Sequence, residues 1–389
     1  MGTEKQQIAW LYIDVKIVTL SSNTSWYLYN FRASTIRRLL SDGYRVVCLS
    51  PKDDYSQKLI DDFGCEWLAI VMSNQGSNPF RDAGLVYQFW RHYRKLKPVA
   101  ALHFTIKNNV YGTWVAASMG IPAINNVSGL GTAFIRRGLV SSIVRFLYKT
   151  SQPFAHRIFC QNGEDITQLV EARLVPRERL ELLPGSGVDL AKFNPALIEK
   201  HPGPFRFLYA GRMLTDKGLK ELIVAIQTIN ASEVRCNLWL SGFSNVENVS
   251  SISEKQLFEW GEEPGIEWMG PSDSMEKVYA AVDCVVLPSY REGMPRSLLE
   301  AGAMKLPVVA TDVPGCRNIV EDGFNGFLCE VKSSKSLAHA MLKILEMTDE
   351  ERSLMGENGR GLVSAKYDEQ LVVEATMRAV ESAVLVSAY

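Results

Sequence analysis

The sequence predicts an α/β protein made of two parallel-sheet domains, and three observations carry that expectation. Apolar runs of strand length alternate with amphipathic segments of helical period through both halves of the chain. One breaker-rich stretch, PGSGVDLAKFNPALIEKHPGP (184–204), interrupts the alternation near its middle. The 389 residues, 47% apolar and 22% charged, are enough for two cores of ordinary soluble composition.

The elements follow in order. Strands are expected at Lys16–Leu20, Arg45–Leu49, Val99–His103, Pro122–Asn126, Arg157–Cys160 and Leu180–Leu183. Helices are expected from Trp26 to Leu40, after the polar loop SSNTS, and through Tyr111–Ser118. Beyond the breakers come strands at Phe207–Tyr209, Asn237–Leu240, Asp283–Leu287 and Pro307–Ala310. A helix from Lys217 to Ile229 aligns Leu219, Leu222, Ile223 and Ile226 on one face. The tail after Glu350 has no proline and reads as helical. This divides the chain into a domain over 1–190, a linker over 191–203 and a domain over 204–367, with a last helix at 368–389 packing back on the first domain. In such sheets ligands bind beyond the carboxyl ends of the strands, so the site is expected in a cleft between the domains.

Several classes are excluded. No run approaches eighteen apolar residues, so no membrane span is expected. The start MGTEKQQIAWLYID puts Glu4 where a secretory leader needs positive charge, and Asp14 ends the apolar run that begins at Ile8. Gln6 breaks the N-myristoylation pattern. Seven scattered cysteines, none in a CxxC pair, read as reduced thiols of a cytoplasmic protein. No Asp-x-Asp metal motif is evident, and no nucleic-acid partner is expected.

The net charge of −1 hides a split. Residues 1–200 hold 24 Lys and Arg against 16 Asp and Glu, whereas residues 201–389 hold 18 against 27. Between Asp82 and Glu164 lie 81 residues without a carboxylate and with ten Lys or Arg. That field favours phosphate groups or an anionic membrane surface, unless the basic side chains are merely solvated. Inside the window, FIRRGLVSSIVRFLYKTSQPF (134–154) sets Ile135, Leu139, Ile143, Phe146 and Leu147 at helical spacing beside Arg136, Arg137, Arg145 and Lys149. This suits an interfacial helix on lipid headgroups, or a core-facing helix whose arginines point to water.

Chemistry-bearing residues concentrate in the second half. In AGRMLTDKGLKEL (210–222) a strand ends at Gly211, and Arg212 and Lys217 flank a helix start where two cations can straddle a diphosphate. In LPSYREGMPRSLLEAGAMKLPVVAT (287–311) a strand ends at Pro288, a loop carries Glu292-Gly293-Met294-Pro295, and a helix begins near Arg296. Pro295 suits the first helical position. Glu292 on the loop and Glu300 on the helix can hold two sets of hydroxyls on one ligand. A general acid/base pair is the competing reading of these carboxylates.

SYREGMPRSLLEA, with AGRMLTDKG, PGSGVDLAKF and LPVVATDVPG, resembles family-4 retaining glycosyltransferases of the GT-B fold. SSNTSWYLYNFR (21–32), HFTIKNNVYGTWVAA (103–117) and NNVSGLGTAFI (125–135) resemble the branch that builds lipid-linked bacterial surface glycans. That branch includes capsule and O-antigen enzymes and the N-acetylgalactosaminyltransferase acting on undecaprenyl-diphosphate-bacillosamine. The resemblance runs from about Lys16 to the last helix; the first fourteen residues precede the family's usual start.

The resemblance implies two Rossmann-like domains facing each other across a cleft. Arg212 and Lys217 would neutralise the diphosphate of a UDP-sugar, Glu292 would hold hydroxyls of the transferred sugar, and Glu300 would hold the ribose. Gly211, Gly293, Met294, Pro295, Arg296 and Ser297 would line the donor site, and Gly242 and the segment around Met269 the nucleobase pocket. Asn23, Thr24, Ser25, His103, Lys107, Ser128 and Gly129 would serve the acceptor side.

The chain departs from many relatives in two places. It lacks their histidine after Pro122–Asn126, reading Asn126-Val127-Ser128-Gly129, and it has Asn318 where they often carry Glu. The implied activity is metal-independent transfer of an N-acetylhexosamine, best GalNAc, from UDP to a polyprenyl-diphosphate-linked saccharide, at the cytoplasmic face of the bacterial inner membrane. A GT-B UDP-sugar 2-epimerase and a non-catalytic nucleotide-sugar-binding partner are the alternatives.

Overall fold

The computed structural model describes residues 15–72, 79–129, 139–198, 203–231, 236–244 and 250–387. The chain divides into two compact units, residues 1–186 with 370–389 and residues 187–369.

In the first unit, β1 (Ile17–Ser21), β2 (Arg45–Ser50), β3 (Glu66–Ala69), β4 (Ala100–Phe104), β5 (Ala123–Val127), β6 (Arg157–Cys160) and β7 (Leu180–Leu182) form one parallel sheet. Its order is β3-β2-β1-β4-β5-β6-β7. The inner strands are buried on both faces, as the continuous runs IVTLS, RVVCLS and AALHF require. The helix Glu369–Ser387 lays Val372, Val373, Met377, Val380 and Ala383 into the core that holds Val18, Leu20, Leu28 and Leu102.

The second unit repeats the winding. Here β8 (Phe205–Ala210), β9 (Cys236–Ser241), β10 (Ile266–Gly270), β11 (Cys284–Leu287), β12 (Val308–Thr311) and β13 (Gly326–Cys329) run parallel in the order β10-β9-β8-β11-β12-β13. In both sheets the chain winds outward from its first strand and then restarts on that strand's other side. Each sheet therefore has a switch point at its middle, β1/β4 in one and β8/β11 in the other.

Three elements differ from expectation. The helix over Trp26–Leu40 is broken into Ser25–Phe31 and Ala33–Ser41 at Arg32. That arginine is 2% exposed, donates to the Tyr27 hydroxyl at 3.0 Å and lies 4.4 Å from the Phe104 ring centre. Burying its cation against aromatic faces takes precedence over helical continuity. The segment before Thr113–Ser118 is a π-turn at Asn108–Gly112. Finally, the described part of the expected linker is anchored in the second unit. Phe193 is buried there, and its carbonyl accepts from Arg360 Nη1 at 2.8 Å.

Candidate active site

The second unit's switch point gathers the cationic and acidic motif residues. Lys217 lies on a 3₁₀ turn, Thr215–Lys217, rather than at the start of the following helix, which begins at Leu219. Gly218 separates them with φ +72°, and a Cβ there would sit 2.1 Å from the Pro288 carbonyl oxygen. Only glycine lets the loop after β8 press against the end of β11 in this way. Gly242, with φ +150°, similarly packs its Cα against the Gly211 carbonyl, and its N–H donates to Gly270 at 3.0 Å. Gly211, Gly242 and the β10 segment bearing half-exposed Met269 thus form one cluster of strand-end loops.

Across this cluster the Lys217 ammonium donates to Glu292 Oε1 at 2.5 Å, with both side chains less than a fifth exposed. The Ser289 hydroxyl donates to the same oxygen at 2.6 Å, and the Thr311 hydroxyl pins the Ser289 carbonyl at 2.5 Å. Arg296 Nε donates to Glu300 Oε1 at 2.7 Å. Each of these carboxylates therefore already holds a cation. Arg212 differs. It is exposed and makes no ion pair among the described residues, while its carbonyl accepts from the Tyr209 hydroxyl at 2.8 Å.

The helix Arg296–Ala303 has Pro295 as its N-cap, one position earlier than expected, and places Glu300 in its second turn. Ser297 is half-buried in the first turn, and its carbonyl accepts from the Tyr279 hydroxyl. The carbonyl oxygens of Glu292 and Gly293 both lie against the α-carbon of Gly315, where a Cβ would meet each at 2.6 Å. The peptides of the described residues are all trans, so the N–H groups of Gly293 and Met294 point the opposite way. Neither makes a hydrogen bond among the described residues. The site thus offers two aligned donors, a free guanidinium and two exchangeable ion pairs, a set suited to phosphate and hydroxyl oxygens.

The first unit's switch point is built from amides. A cavity of about 260 Å³ is lined by Asn23, Thr105, Lys107, Asn109, Asn126 and Ser128, with Met72, Ile106, Val127, Gly129 and Tyr148 completing the wall. Four of the expected acceptor-side residues, Asn23, Lys107, Ser128 and Gly129, therefore meet there. The other three do not. Thr24 caps the helix Ser25–Phe31 by accepting from the Tyr27 N–H at 3.1 Å. Ser25 is fully buried between the Ser50 and Ser56 hydroxyls at 2.7 and 2.8 Å.

His103 is a core residue, 0% exposed, with Nδ1 2.8 Å from Asn125 Oδ1 and Nε2 2.8 Å from the Tyr93 hydroxyl. Burial lowers its pKa to about 4, so it stands neutral. Gly112 is the glycine that makes room for this ring, since a Cβ there would lie 2.5 Å from Nε2. Lys107 is not a free cation either. Asp82 accepts from its ammonium at 2.8 Å and from the Tyr111 hydroxyl at 2.9 Å. The last carboxylate before the basic window thus neutralises the window's most central lysine.

Of the membrane residues, Arg136 and Arg137 lie outside the described residues. Arg145 and Lys149 are exposed on the helix Leu139–Ser151, beside Ile143 at 45% and Phe146 at 63% exposure. Val144, Leu147 and Tyr148 pack inward. The apolar residues of this helix therefore divide between core and solvent. Ser289, Thr311, Gly315, Asn109 and Asn126 were not singled out as site residues from sequence. Asn109 and Asn126 stand inside the quoted segments HFTIKNN and NNVSG, but nothing in their spacing shows that they meet.

Three kinds of comparison accord with this geometry. Residues 193–362 match the family Glycosyl transferases group 1. The matched segment lies within the second unit, and the chain is a transferase enzyme of the GT-B fold. Over 371 residues it is 26% identical to the N,N'-diacetylbacillosaminyl-diphospho-undecaprenol alpha-1,3-N-acetylgalactosaminyltransferase of Campylobacter jejuni, covering 90% of this chain and 94% of that one. It is 24% identical to the UDP-Gal:alpha-D-GlcNAc-diphosphoundecaprenol alpha-1,3-galactosyltransferase of Escherichia coli, covering 66% and 68%. Anabaena HepE, solved with UDP and glucose, superposes with a TM-score of 0.77 at 17% identity, covering 94% of this chain and all of HepE.

Proposed function

We propose that this enzyme moves an N-acetylhexosamine, best GalNAc, from UDP to a saccharide carried on a polyprenyl diphosphate, with retention at the anomeric carbon. The observation that carries the reading is the Lys217–Glu292 pair at the second unit's switch point, with unpaired Arg212 beside it. The two relatives named above support the acceptor class, since both are named for activity on an undecaprenyl-diphosphate-linked sugar.

In this reading the donor diphosphate draws Lys217 away from Glu292 and sits between Lys217 and Arg212. The released Glu292 oxygen then accepts from a hydroxyl of the sugar, while Ser289 holds the carboxylate in place. Arg296 and Glu300 exchange in the same way, leaving Glu300 for the ribose hydroxyls. As the bond from the anomeric carbon to the phosphate oxygen breaks, its electron pair leaves with UDP, and the growing charge falls on fixed cations and on the Gly293 and Met294 N–H groups. Such preorganised donors act without reorienting at the moment of reaction. The acceptor oxygen bonds to the same carbon and its proton passes to the departing phosphate. No metal ion is required by this scheme.

Among the described residues no helix is long and apolar enough to cross a membrane. The exposed face bearing Phe146, Arg145 and Lys149 supports peripheral attachment, proposed at the cytoplasmic side of the inner membrane. The test is UDP release from a panel of UDP-sugars, with and without membrane extract containing polyprenyl-diphosphate-linked sugars. Release that requires both one UDP-N-acetylhexosamine and the lipid is expected. Epimer formation from UDP-sugar alone, or no release with any donor, would sink the proposal.

A further inference from the structure

The cavity of the first unit holds two buried amide groups, each with one hydrogen-bonding atom unanswered. Asn109 is 1% exposed and Asn126 4% exposed, and both line the cavity. They are neighbours, because Asn109 Nδ2 donates to the Asn126 main-chain carbonyl at 2.8 Å. That bond fixes the Asn109 carboxamide and leaves its Oδ1 buried with no hydrogen-bond partner. Asn126 Nδ2 is likewise buried without an acceptor. Leaving both unmet is costly, so a cavity that keeps them is built for something that answers them.

The unmet Asn109 and Asn126 atoms are one acceptor and one donor, and the Tyr148 hydroxyl in the same wall lies beside the Asn109 side chain. A secondary amide offers the complement, an N–H for Asn109 Oδ1 and a C=O for Asn126 Nδ2. Met72, Ile106 and Val127, in the same wall, supply apolar surface suited to a methyl group. The ionic surroundings fit a neutral group as well, since Asp82 already neutralises Lys107 at the cavity's edge. An incoming phosphate would have to break that pair, whereas an amide would not.

We infer that the cavity is a specificity subsite for the acetamido group of the acceptor sugar, with Asn126 donating to its carbonyl and Asn109 accepting from its N–H. The inference rests on the lipid-linked acceptor proposed above and adds to it the feature by which that acceptor is chosen. Its agents are binding residues and carry no bond-making step.

The experiment compares two short-chain polyprenyl diphosphates, one bearing N-acetylglucosamine and the other glucose, which differ at C2 alone. With the donor held constant, kcat/KM should favour the N-acetyl acceptor by about 10²-fold, the scale set when a buried polar group loses its partner. Asn126→Asp, which keeps the volume and replaces the donor by an acceptor, should collapse that ratio to within a few-fold. A purely structural role would lower both acceptors alike and leave the ratio standing. Saturation-transfer NMR on the unmodified enzyme should show the acetamido methyl as the most strongly saturated group of the bound acceptor. Equal use of both acceptors would overturn the subsite while leaving lipid-linked transfer intact, and would mean that water alone fills the cavity. If neither lipid is bound or used, the subsite and the acceptor class fall together.

Discussion

The two switch points share a backbone plan and differ in chemistry. Both lie where a parallel sheet reverses its winding, between β1 and β4 in one unit and β8 and β11 in the other. In the second unit the crevice is lined by charge held in reserve, as Lys217–Glu292 and Arg296–Glu300 with Arg212 left open. In the first unit the charge is retired, with Lys107 on Asp82, and the unmet groups are the amides Asn109 and Asn126. The comparison teaches that winding selects where a ligand binds, while side-chain type selects which ligand. Ion pairs that can exchange partners suit an anion, and orphaned amides suit a neutral polar group.

The largest effect should come from breaking the charged site. Lys217→Ala removes a cation aimed at the proposed leaving group, and a loss of about 10² to 10³ in kcat is expected, the scale measured for deleting one preorganised donor. Arg212→Ala should fall in the same range. Steady-state UDP release checks both, and a near-normal rate in either variant would remove the electrostatic mechanism from this site.

A smaller effect separates the units by pH. Burial holds His103 at about 4, below its ordinary 6.5, so the unfolded chain binds the extra proton between those values. The first unit's stability from this group is therefore full above about pH 6.5 and is lost as pH falls toward 4. Between pH 7 and pH 5 the loss should be about 2 kcal/mol. Burial lowers His92 and His156 too, adding the same sign. Thermal melts across this range should show the first unit weakening, and His103→Gln should flatten the slope; an unchanged slope would mean that the ring is protonated in the fold.

The smallest effect concerns the outer face of the helix Leu139–Ser151. Arg145→Ala with Lys149→Ala should weaken co-sedimentation with anionic vesicles by about thirtyfold, at roughly 1 kcal/mol per charge near such a surface. Turnover on a detergent-dispersed acceptor should change little. Identical vesicle binding by the double variant would detach the basic window from the membrane.

Much of the fold was legible because buried parallel strands are continuous apolar runs. Every strand read from sequence is present, displaced by two residues at most at either end. β3, β10 and β13 escaped because they are edge strands whose sequences, EWLA, IEWMG and GFLC, mix polar or small residues into short runs. In the second unit the glycines and charges of the site stood in two contiguous motifs, so their meeting could be anticipated. His103 misled because a strand-end histidine reads alike whether it faces a crevice or a helix. Here Phe89, Tyr93 and Gly112 enclose it.

By itself the sequence determined the α/β class, the strands of the sheet interiors and the residue types of the charged site, since these follow from local patterning and short motifs. The tertiary structure alone decided which charges are free. Lys217 meets Glu292 across 75 positions of chain, Lys107 meets Asp82 across 25, and Asn109 meets Asn126 across 17. Pairings of that range depend on which strands become neighbours at a switch point, and spacing along one chain does not encode that adjacency.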